Sequence, residues 1–92
     1  MPHRTVTIGS SVGLHARPAK LFSQAASASG LPVRIAKGDG PAVDAASILR
    51  VMALGAKHGE DVTVSVEGDG ADAVLDHLVI LLASDLDAVD AS

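Results

Sequence analysis

The chain is 92 residues long, the length of one small domain and too short for two independent cores. Its 7 Lys and Arg stand against 11 Asp and Glu, a formal net charge of −4. That balance argues against a protein held to nucleic acid or anionic lipid by bulk electrostatics. The single aromatic residue, Phe22, leaves no stacking platform for single-stranded nucleic acid. With no cysteine there can be no disulfide, thiolate zinc site, iron–sulfur cluster or thiol nucleophile. A hydrophobic content of 48% with 20% charged residues fits a globule rather than a disordered chain. The start, Met1-Pro2-His3-Arg4-Thr5, has no apolar run behind its positive charge. The longest apolar run, Leu78 to Ala83, falls far short of the ~20 residues of a membrane span. A soluble, cytoplasmic protein without membrane insertion is expected.

In chain order, Arg4 to Ile8 alternates Val6 and Ile8 against Thr5 and Thr7, the pattern of a half-buried strand. Gly9 to Gly13 breaks it. Ala16 to Ala28 then carries apolar residues at Ala19, Phe22, Ala25 and Ala26, a helical stripe with Pro18 in its first turn. Gly30 is placed to cap that helix. Leu31 to Lys37 reads as a second strand with Val33 and Ile35 on one face, Gly38-Asp39-Gly40 as a turn, and Pro41 to Asp44 as a short returning strand. Ala46 to Leu54 predicts a short helix ended by Gly55. Asp61 to Glu67 predicts the clearest strand, and Ala71 to about Ala83 a helix with Val74, Leu75, Leu78, Leu81 and Leu82 inward and Asp72 and Asp76 outward. Residues Ser84 to Ser92 are polar and acidic and are expected to fray. This order predicts an α+β fold: an open-faced β-sandwich with a four-stranded antiparallel sheet and three helices, two long and one short, on one face. No linker or repeat interrupts it, so residues 1–92 read as a single domain.

One stretch stands apart, Gly13-Leu14-His15-Ala16-Arg17-Pro18-Ala19. His15 falls where the chain enters the first helix, outside its apolar stripe. Amides at a helix start, with the helix dipole, favour an anion. Arg17 adds a guanidinium suited to phosphate geometry, and Gly13 allows a tight bend. An imidazole beside such a terminus suits reversible phosphorylation of histidine. The plain alternative is that His15 only caps the helix and Arg17 is a solvated charge.

The heptapeptide closely resembles the active-site motif of the HPr family, the histidine-containing phosphocarriers of the bacterial phosphoenolpyruvate-dependent sugar phosphotransferase system. Val43 to Gly55, which contains Ser47-Ile48-Leu49-Arg50-Val51-Met52, looks like the family's regulatory-serine helix. The resemblance implies that His15 accepts a phosphoryl group from phospho-enzyme I and passes it to enzyme IIA domains for sugar uptake. Arg17 and the main-chain amides of Ala16 and Arg17 would hold the phosphate. It also implies that Ser47 is open to phosphorylation by an HPr kinase/phosphatase, with transcriptional regulators as further partners. No cofactor or metal is implied, and the chain would be a monomeric carrier rather than a turnover enzyme. Val12 departs from the family's usual polar residue, and Gln24 and Ser27 stand where relatives often carry Lys.

The short helix is apolar almost all round. Ile48 and Met52, at i and i+4, are expected to form an exposed docking pair with Leu49 inward, flanked by the positive charges of Lys20 and Arg50. Ser47 serves equally well as a plain helix cap. His3, His58 and His77 have no metal-ligand spacing and read as solvated. Charge is unevenly spread: residues 1–59 hold all 7 basic residues and only Asp39 and Asp44, a net +5, while residues 60–92 hold 9 acidic residues and no Lys or Arg, a net −9. A cationic face presenting His15 to acidic partners is expected. Two rival classes are a regulatory module acting through Ser47 alone, which leaves the His15 motif unexplained, and a ferredoxin-like nucleic-acid or metal-handling domain, which the composition disfavours.

Overall fold

Alternating β-branched residues build the sheet. A computed structural model of the chain describes residues 2–9, 13–14 and 16–84. Strand β1 is His3–Thr7, β2 Val33–Lys37, β3 Val43–Asp44 and β4 Asp61–Val66. They form one antiparallel sheet in the order β1-β4-β2-β3. In β4, Val62, Val64 and Val66 are buried while Asp61 is exposed and Thr63 and Ser65 are half-buried. Val6, Val33 and Ile35 are buried on the same covered face. The opposite face is polar. Thr5 and Thr63 hydroxyls meet at 3.0 Å, and Thr7 Oγ1 donates to Asp61 Oδ1 at 2.6 Å.

Helices α1 (Ala16–Ala28), α2 (Ile48–Ala53) and α3 (Ala71–Ala83) cover the apolar face. Phe22, Val51, Leu75 and Leu78 are fully buried with Ile8, Ile35 and the valines of β4. Burial of each such side chain is worth roughly 1.5–3 kcal/mol, so the register of each helix against the sheet is strongly held. Ser23, on the inner face of α1, is buried and donates to the Ala46 carbonyl at 2.8 Å, which ties α1 to the chain entering α2. Arg4 on β1 pairs with Asp76 on α3. Among the described residues no helix is long and apolar enough to cross a membrane.

The predicted bounds of α1 and α3 agree with the structure, and Gly30 takes the left-handed φ of +74° expected of a helix stop. Others shorten for local reasons. Strand β2 begins at Val33 because Pro32 brings no N–H to the ladder; its carbonyl instead accepts from Glu67 N at 3.1 Å. Strand β3 shrinks to Val43–Asp44, and Pro41 lies outside it. Helix α2 begins at Ile48, since Ser47 is extended (φ −98°, ψ 111°) and Ala46 lies in the turn before it. Ser84 is not frayed. Its N–H and its hydroxyl both donate to the Ile80 carbonyl, at 3.1 and 2.7 Å. The rest of that tail, 85–92, lies outside the described residues.

Candidate functional site

The start of α1 is set by its backbone surroundings. Leu14 is buried and donates its N–H to the Ala56 carbonyl at 2.9 Å. Gly13 is buried beside the same loop with φ +75°. A Cβ on it would lie 2.6 Å from Ala56 O and 2.9 Å from Lys57 Cα, so this approach admits only glycine. His15 lies outside the described residues, as do Ser11 and Val12. Ala16 and Arg17 follow as the first helical residues, both exposed. Pro18, third in the helix, is buried and contributes no amide, so Ala16 and Arg17 present the positive end of the helix dipole.

Beyond the first turn, α1 offers a groove lined by Ala16, Arg17, Lys20, Leu21 and Gln24. Lys20, Gln24 and Ser27 are exposed. The groove thus joins two cations, small apolar surface and an amide. It suits a partner surface or an anion better than an enclosed small molecule.

Helix α2 corrects one expectation. Leu49 is 75% exposed, whereas Ile48 is half-buried against the core. The reason is the position of Val51, which is fully buried. Ile48 lies three residues before it on the same helical face, and Leu49 two before it on the opposite face. Met52 is 36% exposed and Arg50 is exposed. The outward apolar pair is therefore Leu49 with Met52, not Ile48 with Met52. Ser47 caps α2: its Oγ accepts from Arg50 N at 3.5 Å, and it is half-buried.

Sequence reasoning missed two contributors. Ser23 carries the α1–α2 tie; its only signal is a polar residue next to Phe22 on an apolar stripe. The 55–60 loop lies against Gly13, and nothing local in the sequence marks a long-range backbone contact. His3, His58 and His77 are exposed, and among the described residues no group of three His, Cys, Asp or Glu side chains could hold a metal.

Comparison with known proteins is consistent across the chain. The family model "PTS HPr component phosphorylation site" matches residues 2–84. The phosphocarrier protein HPr of Streptomyces coelicolor is 48% identical over 87 residues, covering 95% of this chain and 94% of that protein. A multiphosphoryl transfer protein of Vibrio cholerae is 36% identical over 84 residues, covering 89% of this chain but 21% of that larger protein. The crystal structure of HPr-C-His from Thermoanaerobacter tengcongensis superposes with a TM-score of 0.85 at 38% identity, covering 95% of this chain and 97% of that one.

Proposed function

The chain belongs to the HPr family of phosphocarriers of the phosphotransferase system, and on that premise we propose that it works as one unit in the cytoplasm, carrying a phosphoryl group on His15. A neutral ring nitrogen of His15 attacks the phosphorus of phospho-enzyme I. A new N–P bond forms as the bond to the donor breaks, and the donor keeps that electron pair. The reverse displacement, by a nucleophile on an enzyme IIA domain, unloads the carrier. The amides of Ala16 and Arg17 and the Arg17 guanidinium would meet the phosphate oxygens. The observation that best supports this is the exposed first turn of α1, with Arg17 at its second position and Gly13 packed behind it. An open site holds phosphate moderately, as a two-way carrier requires.

Docking of enzyme I and enzyme IIA is assigned to the groove with Lys20 on α1 and to Arg50, Leu49 and Met52 on α2, with Ile48 supporting from beneath. Ser47, half-buried at the head of α2, is assigned the regulatory role, with an HPr kinase/phosphatase and transcriptional regulators as partners. A phosphate there places new negative charge beside the Leu49–Met52 surface, which changes partner choice.

Incubation with enzyme I and phosphoenolpyruvate tests the carrier role. One acid-labile, base-stable phosphoryl group is expected, absent in His15→Ala. Arg17→Ala should slow transfer roughly 100-fold, the scale for losing one donor to developing charge, with the fold intact. Labelling that persists in His15→Ala overturns the assignment.

A further inference from the structure

The uncovered face of the sheet, on the far side from the helices, carries a row of polar side chains. Strand register places His3 of β1 opposite Ser65 of β4, Ser65 opposite Arg34 of β2, and Arg34 opposite Asp44 of β3. Ser65 alternates with the buried Val64 and Val66, and Arg34 with the buried Val33 and Ile35, so both point away from the helices. Arg4, next to His3, reaches Asp76 on α3, which puts His3 on the uncovered face as well. The four residues thus form one line across the sheet: imidazole, hydroxyl, guanidinium, carboxylate. His3, Arg34 and Asp44 are exposed, and Ser65 is half-buried.

Ser65 is the low point of that line. Adjacent strands lie about 4.8 Å apart, so His3 and Arg34 rise from strands roughly 9.6 Å apart with only a hydroxymethyl group between them. That leaves a saddle whose floor and two walls all carry hydrogen-bond donors. The guanidinium adds a charge and a fork matched to phosphate oxygens. Asp44 does not cancel that charge. Its Oδ1 accepts the Ala46 N–H at 3.0 Å, and among the described residues Arg34 forms no ion pair. The opposing charge is Glu67, two residues beyond Ser65 on the same strand line, about 6.8 Å along it. Asp61, further off on β4, is engaged by Thr7 Oγ1. At the Arg34–Asp44 end the row opens into a cleft of about 280 Å³ lined by Pro32, Val33, Arg34 and Asp44. There the Asp44 carboxylate offers its second oxygen as an acceptor for hydroxyl groups.

We propose that this row is a binding site for a small phosphate monoester bearing hydroxyl groups. The phosphate sits over Ser65 between His3 and Arg34, and the hydroxyl-bearing part lies in the cleft against Asp44. No bond is made or broken there. The site shares no residue with the start of α1, and the sheet lies between the two, so the proposal stands independently of the His15 assignment.

The test is an NMR titration of the full chain with inorganic phosphate and with glycerol 3-phosphate. Both should move the backbone signals of His3, Arg34 and Ser65 along a saturable curve. Glycerol 3-phosphate should also move Asp44 and bind roughly threefold more tightly, the gain of one further hydrogen bond. Arg34→Gln should weaken both ligands roughly tenfold, the scale of one charge-assisted hydrogen bond. Glu67→Gln removes a like charge and should tighten both roughly twofold. Phosphoryl transfer through His15 should be unaltered in Arg34→Gln. Signals that move only at Ala16 and Arg17, or affinities unchanged in Arg34→Gln, overturn the site. Equal affinity for the two ligands overturns the assignment of the ester, and slower phosphoryl transfer in Arg34→Gln overturns the separation from α1.

Discussion

At Gly13 the missing side chain matters more than any nearby side chain that is present. Its φ of +75° costs other L-residues about 1–2 kcal/mol, and a Cβ there would overlap the Ala56 carbonyl at 2.6 Å. Gly13→Ala should therefore destabilise the fold by about 2–4 kcal/mol. It should also displace the turn that leads into α1, so that phosphoryl transfer falls further than stability alone explains. Urea unfolding checks the first effect, and a loss under about 0.5 kcal/mol would show that the close approach is absent in solution. Ser23 makes the complementary point about a polar group. A buried hydroxyl is tolerated because the Ala46 carbonyl accepts its proton. That bond ties α1 to the chain just before α2.

Elements show which boundaries local chemistry sets. Helix α2 has six residues, too few to be stable alone. It persists because Val51 is buried, Ser47 caps it and Ser23 anchors the chain just before it. Ser47→Ala should cost about 0.5–1 kcal/mol, the lower part of the capping range because the cap bond is long. Ser47→Asp keeps an acceptor and puts negative charge at the positive end of the helix, so it should lose less than Ser47→Ala. Equal losses in chemical denaturation of the two variants would rule out the cap as the source of the effect. The same helix shows where periodicity runs out. Six residues that are apolar almost all round contain no stripe to read, so Ile48 and Leu49 could be assigned to faces only once Val51 was seen against the core. The longer α1 and α3 carry several turns of pattern, so their extents, Ala16 to Ala28 and Ala71 to about Ala83, are legible in the sequence.

Across the whole molecule, charge is the property the fold organises. The −4 total conceals +5 in residues 1–59 and −9 in residues 60–92. Arg17, Lys20, Arg50 and Lys57 are all exposed, and they lie on α1, on α2, which packs against α1, and on the 55–60 loop, which lies against Gly13. Association with enzyme I should therefore weaken steadily as salt rises, with most of the change in the on-rate. Stopped-flow binding across a salt series checks this. An on-rate indifferent to salt would mean that the apolar Leu49–Met52 surface dominates docking.

Sequence by itself determined the strands, the two long helices, the α+β arrangement and the heptapeptide with His15 and Arg17. Each of these is written in local terms: alternation of β-branched residues, a helical stripe, or a glycine, proline and cation at fixed spacing. Tertiary structure decided the short helix's outward pair, the Ser23 tie and the placing of Lys57 and His58 beside residue 13. These depend on contacts between residues far apart in the chain, some of them through backbone atoms common to every amino acid, which local pattern does not encode.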